Sequence, residues 1–204
     1  MSRAAAQRED APTAGEEDAA AALGPAIRRL RQEKGLTLAQ LAERSGLSIG
    51  HLSQVERSLS TPTIRQLQAV SAAMGVRVGW FFREAGGPPP DPCRVVVRAG
   101  ERKTLRYDGL GMTDFLLTPG LEGRLELILA ELEPGAASGD EPYSHEGEEA
   151  GLVVEGELEL WVEEERYLLR AGDSFAFAST RPHRFRNPGR ATARVVWAVT
   201  PPSY

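Results

Sequence analysis

Apolar residues recur every three to four positions through residues 23–84 and tend to alternate with polar ones after about residue 94, so the chain changes period once. In the first stretch Leu23, Ile27, Leu30 and Lys34 fall on one helical stripe, with Arg28, Arg29 and Arg31 around it. Gly35 ends that helix. Thr37-x-x-Gln40 is a capping-box pattern, in which a hydroxyl and an amide satisfy each other's unpaired backbone N–H groups. It opens a second helix carrying Leu38, Leu41 and Ala42, which Gly46 stops. A third helix starts at Ser48, with Leu52 and Val55 facing inward. A second capping box, Thr63-x-x-Gln66, opens a fourth with Ile64, Leu67, Val70 and Ala73, ended by Gly75. A short fifth helix holds Trp80 and Phe81.

The second half reads as strands over residues 95–98, 125–133, 152–155, 158–163, 174–177 and 192–199. Turn pairs separate them, among them Pro134-Gly135, Glu155-Gly156, Ala171-Gly172 and Pro188-Gly189. Many short strands at such spacing predict an all-β sandwich or barrel. Between the halves, residues 86–92 read Gly-Gly-Pro-Pro-Pro-Asp-Pro, a stiff extended linker. The expected organisation is a disordered tail over 1–22, a helical domain over 23–84, a linker over 85–93 and a β domain over 94–204, with its core at 125–199.

Charge sharpens this division. The net charge of −5 separates into −3 over residues 1–22, +5 over 23–84 and −7 over 85–204. A basic segment between two acidic ones points to a polyanion meeting the helical part alone. The tail is alanine, acid and glycine with almost no large apolar residue, too little to offset the entropy of ordering it. Cys93 is the single cysteine, which excludes an internal disulfide and any multi-cysteine metal site. No secretory signal and no membrane span is read, so the expected location is the cytoplasm and no membrane partner is expected.

Two short helices joined at Gly46 make a helix-turn-helix, in which the second helix offers its outer face to the DNA major groove. With Leu52 and Val55 inward, the outward positions are Ser48, Ile49, Gly50, His51 and Gln54. Gln54 can pair bidentately with adenine, and Ile49 can touch a thymine methyl. Thr37, Arg57 and Arg65 complete the expected DNA-binding set, the arginines as phosphate contacts. The stretch from Leu23 to Phe82 resembles the lambda-repressor/Cro (XRE) family. It does so through Gly35-Leu36-Thr37, Gln40-Leu41-Ala42, Gly46-Leu47-Ser48, Val55-Glu56-Arg57 and Pro62-Thr63-Ile64. The resemblance implies a five-helix domain, a homodimer on a double-stranded operator with two half-sites, and an ion pair between Arg31 and Glu56. Leu38 stands where the family often places a DNA-contacting glutamine, so that contact is not expected.

In the β half, Tyr143, His145, Glu149 and His183 form a candidate pocket. Two imidazoles and a carboxylate are the set that holds a divalent metal with open positions. The spacings Tyr143-x-His145-x3-Glu149-x6-Gly156 and Gly172-x5-Ala178-x-Thr180-x2-His183-x3-Asn187 resemble the two motifs of the cupin superfamily, a β jelly-roll barrel. Tyr143 replaces the family's first histidine. Three readings of this set remain open: an occupied divalent-metal site, a metal-free pocket that hydrogen-bonds a small ligand, and polar core residues with no ligand. The acids Glu141, Glu146, Glu148 and Glu149 either favour a cationic ligand or form a solvated loop.

Together the two halves resemble repressors that fuse a lambda-type domain to a cupin sensor, whose effectors include polyamines, amino acids and sulfur compounds. The expected protein is a dimeric, effector-responsive repressor with no catalytic residues. Two alternatives stand beside it. One is a metal-dependent cupin oxygenase or isomerase with an accessory DNA-binding domain. Loss of the first motif histidine and the lack of a further acid–base residue near the motifs speak against that enzyme. The other is a nucleoid or toxin-pair DNA binder with a purely structural barrel.

Overall fold

The computed structural model describes residues 23–84, 94–107 and 109–202. The tail expected over 1–22 and the linker over 85–93 lie outside the described residues. Five helices come first: α1 (Leu23–Glu33), α2 (Leu38–Ser45), α3 (Ile49–Glu56), α4 (Ile64–Ala73) and α5 (Trp80–Glu84). Both capping boxes form. Thr37 accepts from the Gln40 N–H and Thr63 from the Gln66 N–H, and each glutamine side chain reaches back to the capping residue's N–H. Gly46 closes α2 in the left-handed conformation, φ 72°, and donates to Ala42 O.

Ile27, Leu30, Leu41, Leu52, Ile64, Leu67, Val70 and Phe82 fill the helical core. Lys34 does not join it. The helix ends at Glu33 and Lys34 stands in solvent, so the apolar stripe stops at Leu30. Arg31 pairs with Glu56 as expected, through Nε to Oε1 at 2.5 Å and Nη2 to Oε2 at 2.9 Å. Its Nη1 donates to Leu36 O at 2.7 Å. This fork ties α1, α3 and the α1–α2 turn together. Gly24 allows α1 to cross α3 closely: a β-carbon there would lie 2.3 Å from Val55 O.

Among the described residues the strands are β1 (Thr104–Tyr107), β2 (Met112–Leu116), β3 (Glu126–Leu132), β4 (Glu148–Glu155), β5 (Glu157–Val162), β6 (Glu165–Arg170), β7 (Ser174–Ala178), β8 (His183–Arg186) and β9 (Ala193–Thr200). They form an antiparallel six-stranded sheet in the order β1-β2-β3-β9-β4-β7 and a three-stranded sheet in the order β6-β5-β8. This is the two-sheet jelly roll. Strict alternation on β2, β3 and β9 places Met112, Leu116, Ile128, Leu132, Val195 and Val199 inward.

One expected strand is absent. Residues 95–98 are irregular and precede a 3-10 turn at Ala99–Glu101, with Val95 87% and Val96 53% exposed. Their β-branched side chains have strand propensity, but no neighbouring strand pairs with them. The first strands are instead β1 and β2, whose mixed composition hid them. Asn187, the last residue of the second motif, is a structural lock. Its Nδ2 donates to Leu132 O, Glu133 O and Ala191 O, and its Oδ1 accepts from the Gly189 N–H.

Candidate functional site

Most of the residues expected to contact DNA lie at the turn between α2 and α3 and on α3. Ser48 caps α3 by accepting from the His51 N–H at 3.1 Å, which sets the angle at which α3 leaves the turn. Ile49, 51% exposed, Gly50 and Gln54 face solvent on one side of α3, while Leu52 and Val55 are buried. Thr37 and Arg57 are also exposed, the latter with its Nε on Ser53 O at 3.0 Å. His51 differs from its neighbours. It is half-buried, and its Nε2 lies 3.1 Å from Gln66 Oε1 on α4. The ring is therefore oriented by α4 rather than swinging freely. Arg65 is exposed and forms an ion pair with Glu141 of the β half.

The second group lies between the two sheets. His183 begins β8, Glu149 lies on β4 facing inward, and His145 precedes β4. Their ligand-type atoms all fall within 4.8 Å of one another. His145 Nε2 is 3.4 Å and His183 Nε2 3.2 Å from Glu149 Oε1. Tyr143 sits beside them, its ring 4.2 Å from that of His183 in edge contact, with its backbone paired to His183 in both directions. All four residues expected from the sequence thus meet at one place.

Hydrogen bonding fixes what the site offers. His183 Nδ1 lies 2.8 Å from Arg181 O and His145 Nδ1 3.1 Å from Glu146 O. A carbonyl only accepts, so each Nδ1 carries a proton, and in the neutral ring Nε2 then presents a lone pair. Burial foremost lowers the His183 pKa, against the opposing pull of Glu149, and keeps the ring neutral. Burial raises the Glu149 pKa, but the contacts with His145 and His183 and the Trp197 N–H outweigh it and hold the carboxyl below its usual range. Glu149 Oε1 and His183 Nε2 are buried with no hydrogen-bond partner. Two imidazole nitrogens and a carboxylate oxygen therefore converge, an arrangement a cation stabilises. Separations near 3.3 Å suit atoms that share an ion at ~2.1 Å. The donor set fits a divalent metal.

The adjoining cavity is lined by Asp114, Ile128, Ala130, His145, Glu149, Phe185, Trp197 and Val199 and has ≈ 20 Å³ of free room. That suits one or two waters. A larger ligand requires the sheets to part.

Comparison with known proteins agrees with both halves. A helix-turn-helix family model matches residues 27–81 and a cupin domain model matches residues 128–199. The transcriptional regulator PuuR of Escherichia coli K12 is 32% identical over 188 residues, covering 92% of this chain and 99% of PuuR. The chain belongs to this family of helix-turn-helix transcriptional regulators with a cupin domain. SutR of the same organism, also a transcriptional regulator, is 28% identical and covers 86% of this chain and 93% of its own. SinR of Bacillus subtilis, 44% identical over 63 residues, matches 30% of this chain and 57% of its own. A solved HTH_3 family regulator from Vibrio cholerae has the same fold, with a TM-score of 0.60 at 24% identity over 87% of this chain and 94% of that one.

As a member of this family the protein is a DNA-binding regulator, not an enzyme. Among the described residues no helix is long and apolar enough to cross a membrane. Two of the cavity's lining residues with polar side-chain groups, Asp114 and Trp197, are not apparent from the sequence. Asp114 is 4% exposed, and burial foremost raises its pKa to about 7, with a Tyr107 hydrogen bond opposing. Trp197 donates its indole N–H to Glu149. The signal for Asp114 was an acid at the centre of the alternating run Met112, Asp114, Leu116.

Proposed function

We propose that the chain is a cytoplasmic, homodimeric repressor. In this reading α3 reads a two-half-site operator through Ile49, Gly50, His51 and Gln54. Ser48 and Thr37 fix the helix entries, while Arg57 and Arg65 contact phosphates. The jelly roll over residues 94–204 holds the effector. His145, Glu149 and His183 would hold a divalent metal, with Tyr143 beside it; such an ion would supply a fixed positive charge and open coordination positions for an effector.

The observation that carries the effector reading is the cavity, where buried Asp114 and Glu149 face aromatic walls from Phe185 and Trp197. That combination favours an amine-bearing metabolite, a polyamine or an amino-acid derivative. The dimer reading is supported by the outer face of the larger sheet. Cross-strand register aligns Phe115, Leu129, Val196 and Leu152 in one row and Leu127, Ala198 and Ala150 in the next, an apolar surface with Leu152 44% exposed.

Selection of bound duplexes from a random pool supplies the operator, after which Gln54→Ala is measured on it. The expected loss is ~1–3 kcal/mol at one base pair per half-site, with unchanged thermal stability. Equal affinity of Gln54→Ala and parent would refute the assigned docking of α3. Elemental analysis and native mass spectrometry of the purified chain identify what occupies the cavity.

A further inference from the structure

Between β3 and β4 the chain forms a strap, residues 136–145, that touches both sites. One side is sewn onto β8. Ser138 N–H donates to Phe185 O at 3.0 Å, the Phe185 N–H donates to Ser138 Oγ at 3.1 Å, and Tyr143 exchanges both backbone bonds with His183 at 2.9 Å. Phe185 lines the cavity and His183 is one of its convergent imidazoles. The other side bears on α4. Ile64 N–H, in the first turn of α4, donates to Ser138 O at 3.1 Å, and Glu141 pairs with Arg65. Gly139 runs so close that a β-carbon would meet Thr63 Cγ2 at 2.9 Å, with φ at +128°. The first turn of α4 in turn touches the reading helix through Gln66 and His51.

We propose that the strap is an autoinhibitory contact in which Glu141 occupies Arg65 in place of a DNA phosphate. A carboxylate and a phosphate oxygen make the same charge-assisted bond to a guanidinium, so one excludes the other. The strap places that carboxylate on an element hydrogen-bonded to the cavity wall. A shift of β8 on ligand entry therefore changes how firmly Arg65 is held. The docking has further anchors at Arg77 Nη1 to Pro202 O, 2.8 Å, and at Gly109 against Thr61. The strap is thus seated on a defined partner surface. This inference rests on the phosphate-contact role proposed above for Arg65.

The test is binding of the full chain to a random-sequence duplex, which isolates the phosphate contribution, as a function of salt. Glu141→Gln is expected to bind about two- to fivefold tighter at low salt, the range of one exposed ion pair. Arg65→Ala is expected to bind more weakly, with a salt slope smaller by about 1. Glu141→Gln added to Arg65→Ala is expected to change nothing further. Asp140→Asn removes a neighbouring charge without touching Arg65 and is expected to have no comparable effect. Gly139→Ala, which pushes the strap off Thr63, is expected to tighten binding as well and to speed amide exchange at Ile64. A gain from Glu141→Gln that persists without Arg65, or an equal gain from Asp140→Asn, would reduce the effect to general repulsion and overturn the proposal. If Arg65→Ala weakens binding but Glu141→Gln does not strengthen it, the competition fails and the phosphate contact stands. If Arg65→Ala leaves affinity and salt slope unchanged, the phosphate role itself fails and the competition with it.

Discussion

Trp197 holds Glu149 from behind: its indole Nε1 donates to Oε2 at 2.7 Å, leaving Oε1 turned toward His145 and His183. The two residues are 48 positions apart, on β9 and β4, and adjacent strands bring them together. A ligating carboxylate is oriented by the donor on its other oxygen. Trp197→Phe keeps an aromatic ring against Phe175 and Phe185 but deletes the donor. Affinity for added Zn²⁺ is expected to fall about 10- to 100-fold by calorimetric titration, with the strand content by circular dichroism unchanged.

Asp114 makes the stability of the β half depend on pH in a direction opposite to its neighbours. Its folded pKa is raised to about 7 from 3.8, so the native state keeps a proton that the unfolded chain releases. Its contribution is fully present below about pH 4 and is lost as pH rises to about 7. Glu149 and His183, both lowered, act the other way and lose stability as the solution is acidified. Comparing the parent with Asp114→Asn isolates the first effect. Denaturant unfolding is expected to give equal stabilities near pH 4. Near pH 8 the variant should gain on the order of 2–4 kcal/mol.

Removing Glu56 strands a guanidinium, because among the described residues Arg31 keeps Leu36 O as its close partner. The side chains of Arg31 and Glu56 are 12% and 5% exposed. Breaking a buried pair on one side costs about 3–5 kcal/mol, whereas replacing both partners with apolar residues of similar volume costs far less. Glu56→Ala is expected to lower the melting of the helical half alone, giving a separate early transition in scanning calorimetry. Arg31→Met/Glu56→Leu is expected to recover most of the loss.

What could be read from the sequence was what is local. Each capping box joins residues three apart, so its residue types announce it. The two histidines and Glu149 were legible because spaced motifs carried them. Apart from the Arg31–Glu56 pair that the resemblance implied, contacts between distant strands or helices left no such trace. His51 reads as an outward residue on α3 until α4 supplies Gln66, and the phosphate contact expected of Arg65 carried no hint of its pairing with Glu141. Asp114 sits in a strand whose polar residues masked its alternation, and strand propensity at 95–98 found no partner to pair with.

Tyr143 occupies the position of the missing motif histidine and decides how many nitrogen ligands the site offers. Its ring is 6.3 Å from His145 and 4.2 Å from His183, so an imidazole at this position would point into the same group. Tyrosine is a weak ligand near neutrality because its phenol keeps its proton, whereas neutral histidine brings a lone pair without losing one. Tyr143→His is therefore expected to bind Zn²⁺ about tenfold or more tightly than the parent. The lowered His183 pKa keeps that ring unprotonated below the ordinary histidine range, and Glu149 stays ionised below the ordinary carboxylate range. Metal occupancy should accordingly fall as the solution is acidified below the ordinary histidine range of ~6.5, since protons and metal compete for the same atoms. The measurement is metal retained after dialysis, by elemental analysis, for parent, Tyr143→His and His145→Ala across pH. Parent and Tyr143→His both empty at every pH would leave the convergent lone pairs to an organic cation. Occupancy indifferent to His145→Ala would place the metal elsewhere in the chain.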